Sequence, residues 1–231
     1  MSKLIKVVSW NLGFWQYRKH HYDAWDYLRN VIKPDIAFLQ ETQAPKIAED
    51  EEFVFREVHQ SWGTAIYCRG IRVIREIIMP RYSERIAAAE VELGQNKSVF
   101  IASIHAPIIR NRVFPHMDNI FTDIETTFSD NPSLIGGDLN SARLAEMTWP
   151  GFGHAPFFAR VDASRFEDIR KRFYQDEIQT VFRPNQSTPF QDDHIFISRN
   201  LSGNVSSYSI LNNEFTRTVS DHIPVVIEMQ V

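Results

Sequence analysis

The stretch Leu134-Ile-Gly-Gly-Asp-Leu-Asn140 is a short apolar segment that runs directly into an acid and an amide. Its two large aliphatic residues predict a buried strand, and the polar residues after them predict that this strand ends in a loop. Functional residues are concentrated on loops that a rigid scaffold positions. Asp138 and Asn140 are therefore the first candidate site residues.

Five further apolar strands of the sequence meet acidic, amide or imidazole residues in the same way. Glu41 is the most informative, because a carboxylate after the buried residues 36–39 must find water, a partner or a cation. The other polar residues at strand ends are Asn11, His105, Asp193, Asp221 and His222. One such residue is usually a turn or cap residue. Six such places in one chain predict that strand ends converge on a polar floor.

The order of the predicted elements is typical of a layered α/β protein. Strands are predicted at 4–10, 36–39, 64–69, 71–79, 86–93, 98–105, 193–198, 205–210 and 224–230, and helices at 22–32, 114–128 and 163–174. The acidic run at 49–52 is expected to be a solvated loop or helix end, and residues 141–162 are expected to be mostly loop. No repeat or change of composition divides the chain. Residues 1–231 therefore form one predicted domain of two packed mixed sheets with helices outside.

The composition is that of an ordinary soluble globular protein, with 43% hydrophobic and 23% charged residues. The single cysteine, Cys68, excludes an internal disulfide framework and a cysteine-based zinc site. The chain opens without the apolar core of a signal peptide and has no apolar run long enough for a membrane helix. We expect a cytoplasmic monomer that does not associate with a membrane.

The net charge is −4, from 25 basic and 29 acidic residues. This balance counts against a protein whose whole surface coats nucleic acid, because such domains are commonly basic. It is compatible with an acidic metal site beside a locally basic rim.

The polar residues at the strand ends fit the hydrolysis of a phosphoester with a hard cation. Mg²⁺ prefers oxygen ligands and typically takes one or two protein carboxylates together with water and substrate phosphate. Glu41 and Asp221 are suited to that role. The amides of Asn11 and Asn140 add neutral ligands or hydrogen-bond donors, and a histidine beside a carboxylate becomes more basic. Zinc fits less well, because the candidates are mostly oxygen donors.

Taken together, these strings resemble those of the endonuclease/exonuclease/phosphatase superfamily, which includes deoxyribonuclease I. The resemblance extends from residue 7 to residue 227. Its specific part is the pair Gly137-Asp-Leu-Asn140 and Ser220-Asp-His-Ile-Pro224. The matching strings, in the superfamily order, are Ser9-Trp-Asn11, Leu39-Gln-Glu41, Ser103-Ile-His105, Gly137-Asp-Leu-Asn140, Asp193-His-Ile-Phe196 and Ser220-Asp-His-Ile-Pro224. The resemblance implies a deoxyribonuclease I-like four-layer α/β/β/α sandwich of two packed mixed β-sheets.

The resemblance also implies a metal site and a site for the attacking water. Glu41 would be the principal metal ligand, with Asn11 and Asp221 beside it. The ion would be Mg²⁺, with Mn²⁺ as a substitute. Asp138 and Asn140 look like the pair that positions or activates water and holds the phosphate.

Two histidines complete the implied site. His222 resembles the essential histidine of the superfamily, and Asp193 resembles the carboxylate that orients it, although the adjacent Asp192 is an alternative. His105 lies where deoxyribonuclease I-like members carry a second histidine. Those members pair that histidine with a glutamate, and the sequence near Trp62-Gly63 offers no obvious equivalent.

Two segments beside the predicted catalytic strands mix aromatic with basic residues, as single-stranded or distorted nucleic acid requires. They are residues 14–22 and 143–160, which are predicted to form an electropositive rim. The candidate substrate-binding residues are Arg18, Arg85, Arg143 and Trp149. The favoured function is a metal-dependent nuclease acting on DNA or RNA phosphodiester bonds. The alternatives are a phosphoesterase for a small nucleotide, sugar or inositol phosphate, and a non-enzymatic binding protein.

Overall fold

The computed structural model describes residues 3–59, 61–94, 97–109, 114–183 and 188–231. In this part of the chain, the strands form two six-stranded sheets. The first sheet has the order β11 (Val205–Ile210), β12 (Val225–Gln230), β1 (Leu4–Asn11), β2 (Ile36–Thr42), β4 (Trp62–Arg69) and β3 (Glu51–His59). The second sheet has the order β5 (Val73–Ile77), β6 (Ile86–Glu92), β7 (Ser98–His105), β8 (Ser133–Asp138), β10 (Asp193–Ser198) and β9 (Phe166–Asp168).

Short helices cover the outer face of each sheet. The α-helices are α1 (Phe14–Tyr17), α2 (His21–Tyr27), α3 (His116–Phe128), α4 (Ala145–Thr148), α5 (His154–Asp162), α6 (Arg199–Ser202) and α7 (Glu214–Val219). A π-helical turn at Leu28–Ile32 extends α2, and 3₁₀ turns lie at Arg18–His20 and Ile169–Arg172. Among the residues described, no helix combines the length and the apolar character needed to span a lipid bilayer.

Alternation along the strands creates three apolar layers. Ile5 and Val7 of β1 face the second sheet, whereas Val8 and Trp10 of the same strand face the helices. On the other side, α3 and α5 pack against the outer face of the second sheet through residues such as Phe121. Successive strand residues point to opposite faces, so one strand serves both the inner and an outer layer. The predicted four-layer α/β/β/α sandwich is confirmed.

Parallel pairing places the polar strand ends at one edge. β1 and β2 are parallel in the first sheet, and β7 and β8 are parallel in the second. β10 runs antiparallel to β8, with Asp193 opposite Asp138. Because β10 runs in the opposite direction, its beginning lies beside the end of β8. The strand ends that carry the candidate residues therefore meet where the two sheets are packed together.

The predicted basic helix at 163–174 is wrong. Residues 166–168 form the edge strand β9, which pairs with β10, and a 3₁₀ turn follows. The charged residues of the segment are partly buried: Arg170 donates to the carbonyls of Tyr174, Gln175 and Asp176. Tertiary pairing with the open edge of the sheet outweighs the local helical pattern.

Two further expectations need correction. The acidic run at 49–52 does not form a solvated loop throughout, because β3 begins at Glu51 and this side chain is buried against Arg29 and the Tyr67 hydroxyl. Residues 141–162, expected to be mostly loop, contain α4 and α5. In the acidic run, the ion pair between Glu51 and Arg29 joins residues far apart in the sequence, so the local charge pattern does not predict the burial of Glu51.

Gly136 is a point of close contact between the two sheets that a sequence change can probe. A Cβ atom at this position would lie 2.2 Å from Cδ2 of Phe38, on the opposite sheet. Phe38 is fully buried in the layer between the sheets. The absence of a side chain at Gly136 thus sets how closely the sheets approach beneath the polar edge.

We predict that Gly136→Ala lowers the free energy of unfolding by about 1–3 kcal/mol, because overpacking a tight interior forces side chains or backbone to shift. Chemical denaturation measures this change. Gly203→Ala is the matched control, since a Cβ there meets nothing within 4 Å. Equal stability of the two variants would contradict the assignment of Gly136 to the sheet contact.

Candidate active site

The Asp138 carboxylate lies at the centre of the polar edge and is almost completely buried. Its Oδ2 accepts a hydrogen bond of 2.9 Å from Nδ2 of Asn11, and its Oδ1 accepts one of 2.9 Å from the backbone N–H of Asn140. Nε2 of His222 lies 3.8 Å and Nε2 of His105 lies 3.9 Å from Oδ2. Elements of both sheets therefore converge on this one carboxylate.

Asp193 is the carboxylate that faces His222. Nδ1 of His222 lies 2.8 Å from Oδ2 of Asp193, and both side chains are buried. The alternative partner, Asp192, points elsewhere: its Oδ2 lies 3.4 Å from the Arg183 guanidinium. Adjacent residues of an extended chain point in opposite directions. The pleat therefore separates the two aspartates that the sequence could not distinguish.

Glu41 is aimed at the site by an irregularity of its strand. The register between β2 and β4 shifts between Leu39 and Thr42, and Glu41 itself has a positive φ of 45°. Bulges re-aim side chains, and such backbone strain in a residue other than glycine clusters at functional sites. Oε1 of Glu41 lies 3.8 Å from Nε2 of His105. Asn140, which follows β8 of the second sheet, has a similar φ of 47°.

His105 packs against Trp62, with ring centroids 6.0 Å apart. Its Nδ1 is buried and has no hydrogen-bond partner among the residues that the structure describes. Its backbone N–H donates a hydrogen bond to the backbone carbonyl of Arg85. The positive charge of the Arg85 side chain disfavours protonation of the His105 imidazole. Arg85 is therefore close to the polar edge, at the start of β6.

Burial and charge shift the pKa values of the buried site residues in different directions. Burial lowers the pKa of His105 to about 4. Burial acts in the same direction on His222, but Asp193 and Asp138 outweigh it and hold the pKa of His222 well above its ordinary value. Burial and then the negative charge of Asp138 raise the pKa of Glu41. Groups shifted in opposite directions within one site are typical of acid–base chemistry.

Two site residues were missed as functional candidates by the sequence reasoning. The Thr180 hydroxyl accepts hydrogen bonds from the backbone N–H groups of Asp192 and Asp193, each at 3.1 Å. The Ser220 hydroxyl donates to the carbonyl of Asn11 and accepts from the N–H of His222. Ser220 belongs to the motif Ser220-Asp-His-Ile-Pro224, so the sequence could have identified it. No motif includes Thr180, because its contacts join separate segments of the chain.

The four candidate substrate-binding residues have different surroundings. Arg18 is exposed and lines a cavity of about 290 Å³ with Trp15 and Trp62. Trp149 lines a second cavity, which includes Asn140. Arg143 is engaged by Asp162 at 3.0 Å and lies over the ring of Phe158. Arg85 lies beside His105.

The expected electropositive rim is only partly supported by these contacts. In the segment 143–160, Arg143 and Arg160 both form ion pairs with acidic residues. In the segment 14–22, Arg18 and Lys19 are exposed. Exposed positive charge is therefore available at the first segment, whereas the second contributes aromatic surface.

The profile of the Endonuclease/Exonuclease/phosphatase family matches residues 8–222, which include nearly all of the polar edge. The chain belongs to this family. Its members act on phosphoester bonds, and the buried acids and histidines described above lie within the matched region. A search of curated proteins finds no significant match.

Solved structures of this fold cover nearly the whole chain at low identity. The AP endonuclease LMAP from Leishmania major is 15% identical, with a TM-score of 0.78 over 99% of this chain and 88% of that one. The 3′ phosphatase NExo from Neisseria, bound to a product DNA hairpin, is 13% identical, with a TM-score of 0.74 and coverage of 97% and 99%. TDP2 from D. rerio, in complex with a single-strand DNA product, is 16% identical, with a TM-score of 0.70 and coverage of 98% of both chains.

The donor set at the polar edge fits a hard divalent cation, which members of this family generally use. Across the described residues, no three His, Cys, Asp or Glu side chains converge closely enough to hold a metal ion by themselves. Oxygen donors are nevertheless grouped there: the negative charges of Asp138 and Asp221 both disfavour ionisation of Glu41. A cation relieves this repulsion. Few protein carboxylates, completed by water and substrate, are typical of Mg²⁺.

Asn11 is already engaged within this donor set. Its Nδ2 donates to Asp138, and its Oδ1 accepts from the N–H of Gly13 at 2.9 Å. A carbonyl oxygen has two lone pairs, so one remains for a cation. The predicted ligand role of Asn11 is therefore compatible with its hydrogen bonds.

We predict that Asp193→Asn lowers the pKa of His222 in the metal-free protein. The negative charge and hydrogen bond of Asp193 oppose the effect of burial, and removing that charge leaves burial to dominate. NMR titration of the His222 ring measures the change. Asp192→Asn is the matched control, and a decrease as large as that for Asp193→Asn would contradict the assignment.

Proposed function

We propose that the protein is a divalent-cation-dependent phosphodiesterase that cleaves nucleic acid by in-line attack of an activated water. The observation that carries this proposal is the Asp138 carboxylate, which lies within 4 Å of two histidines and accepts hydrogen bonds from Asn11 and Asn140. Such an arrangement supplies proton acceptors and donors around one point. Preorganised polar groups of this kind account for most of the rate in phosphoryl transfer.

Asp138 and His222 are the two groups suited to activating water. His222 is oriented through Nδ1 by Asp193, which leaves its Nε2 facing Asp138. A neutral His222 accepts the proton of the attacking water, whereas a protonated His222 stabilises the negative phosphate. Asp138 is the alternative proton acceptor, because its pKa is held low by His222 and His105 despite burial.

We assign His105 and Asn140 to binding the phosphate group of the substrate. With a pKa of about 4, His105 is neutral near pH 7, and a neutral imidazole carries one ring proton. It is therefore suited to donating a hydrogen bond to the phosphate or the departing oxygen. Protonation of that oxygen by His105 itself requires substrate to raise its pKa.

The cation would be held by Glu41, with Asn11 and Asp221 beside it, and we propose Mg²⁺ with Mn²⁺ as a substitute. When bound, it supplies positive charge that neutralises the phosphate and the departing oxygen.

The monomeric state and the cytoplasmic location stay predictions from the sequence.

We expect Glu41→Gln, Asp138→Asn and His222→Ala each to reduce turnover at least ~100-fold while leaving the fold intact. Turnover is measured with labelled oligonucleotides in Mg²⁺ or Mn²⁺, and circular dichroism checks folding. Glu49→Gln, a change at an exposed glutamate, is the matched control. Near-normal turnover of any of the three site variants, or activity that survives chelator, would refute the mechanism.

The choice of nucleic acid as substrate rests on the aromatic surface around the site. Trp15 is 65% exposed beside Arg18, and Trp149 is 39% exposed on the other side. Exposed aromatic rings beside a basic group suit unpaired bases and phosphates. The structural relatives from Neisseria and D. rerio hold DNA products, which favours the same class here. A small nucleotide, sugar or inositol phosphate is the alternative substrate.

Salt dependence distinguishes the two substrate classes. Binding of long nucleic acid should weaken steeply with salt, with a negative log–log slope that becomes shallower by about 1 in Arg18→Ala if Arg18 contacts a phosphate. Fluorescence anisotropy measures this slope in Ca²⁺. Arg72→Ala is the control, because Arg72 is exposed and paired with Glu92. A shallow slope for the wild type, together with release of phosphate from small esters, would favour the alternative.

A further inference from the structure

The backbone of Glu41 is held in a conformation that residues other than glycine rarely adopt. Its φ of 45° lies in the left-handed region, and the register between β2 and β4 shifts between Leu39 and Thr42. Such a conformation persists only where the surrounding structure over-determines it. The contacts on either side of Glu41 therefore decide where its carboxylate points.

The residue before Glu41 is anchored on two sides. The carbonyl of Gln40 accepts a hydrogen bond of 2.9 Å from the backbone N–H of Leu12. The Gln40 side-chain amide donates to the Ser103 hydroxyl of the second sheet, also at 2.9 Å, and both side chains are fully buried. The chain therefore enters Glu41 from a fixed position.

The two residues after Glu41 are anchored by α2. Nε1 of Trp25 donates a hydrogen bond of 3.0 Å to the Thr42 hydroxyl. The backbone N–H of Gln43 donates one of 3.2 Å to Nε2 of His21. Because His21 and Trp25 are four residues apart, they lie on the same face of the helix. This face of α2 fixes the position in which the chain leaves Glu41.

His21 accepts its hydrogen bond as a neutral ring. It is 2% exposed, and burial lowers its pKa to about 4. Near pH 7 the ring proton is therefore on Nδ1, and Nε2 is free to accept. Nδ1 is buried and has no hydrogen-bond partner among the residues that the structure describes. Within this part of the chain, the Gln43 N–H is the one hydrogen-bonding group that His21 contacts.

We propose that His21 is a positioning residue for the cation site: by accepting the Gln43 N–H, it holds the backbone of Glu41 in the conformation that presents its carboxylate to the cation. The inference rests on the proposed function, because it requires Glu41 to bind the cation. It adds to that function a residue from α2, which belongs to none of the motifs.

Two substitutions separate the hydrogen bond of His21 from its packing. Glutamine carries Oε1 the same number of bonds from Cα as Nε2 of histidine and can accept the Gln43 N–H, whereas methionine is of similar length and only a weak acceptor. Binding of Mn²⁺ alone, without substrate, is measured by electron paramagnetic resonance. His21→Met should weaken it about 10-fold, the lower end of the range for residues that orient metal ligands. His21→Gln is the matched control and should bind nearly as the wild type. Thermal unfolding of the metal-free proteins checks that both variants fold.

Hydrogen exchange of the wild type is a second measurement, which needs no variant. If opening of the Gln43 hydrogen bond weakens cation binding, a bound cation disfavours that opening by the same factor, because the coupling is reciprocal. Saturating Mg²⁺ should therefore slow exchange of the Gln43 amide about 10-fold. The Asn131 amide, which donates to the carbonyl of Phe128 in the turn after α3, is the reference and should not change.

The inference is overturned if His21→Met binds Mn²⁺ as the wild type does, or if His21→Met and His21→Gln lose the same factor. An exchange rate of the Gln43 amide that does not respond to Mg²⁺ would also overturn it, and this result is decisive even if a variant does not fold. A wild type that binds no Mn²⁺, or Glu41→Gln binding as tightly as the wild type, would instead refute the cation site of the proposed function and the inference with it.

Discussion

Burial of the Asp138 carboxylate imposes the constraint on which the rest of the polar edge depends. A buried charge must be surrounded by donors or positive groups, and here they come from separate parts of the chain. Asn11 belongs to the first sheet, Asn140 follows β8, and His222 precedes β12. Asp138 can therefore be satisfied only when both sheets are folded and packed. Formation of the fold and formation of the site are coupled through this one side chain.

Each sheet contributes a different part of the site, and the contact between them determines how the parts meet. The first sheet brings Glu41, and the second brings His105 and Asp138. Beneath them the sheets are held by Phe38 against Gly136 and by a hydrogen bond from the Gln40 amide to Ser103. A cavity also lies on each side, one lined by α1 and one by the loop after β8. A substrate that occupies both must cross the junction of the sheets.

The net charge of −4 is reconciled with the proposed nucleic-acid substrate by where the charges lie. Several acids are gathered at the polar edge, where a cation is expected. Two half-buried basic residues are balanced locally: Arg143 pairs with Asp162, and Arg160 pairs with Asp118 and Glu125. Exposed basic charge therefore lies at Arg18, beside the first cavity, whereas Trp149 and Phe152 give the second cavity an aromatic lining.

The sequence by itself determined most of the strands, the family and the set of polar residues at the strand ends, because each depends on local patterns of apolar and polar residues. The tertiary structure decided which of Asp192 and Asp193 faces His222, and it turned residues 166–168 into an edge strand. It also revealed the contacts of Thr180, which belongs to no motif. These contacts arise between separate segments and from the direction in which each side chain leaves the backbone. Those directions are set only when two sheets pack together, so no local pattern encodes them.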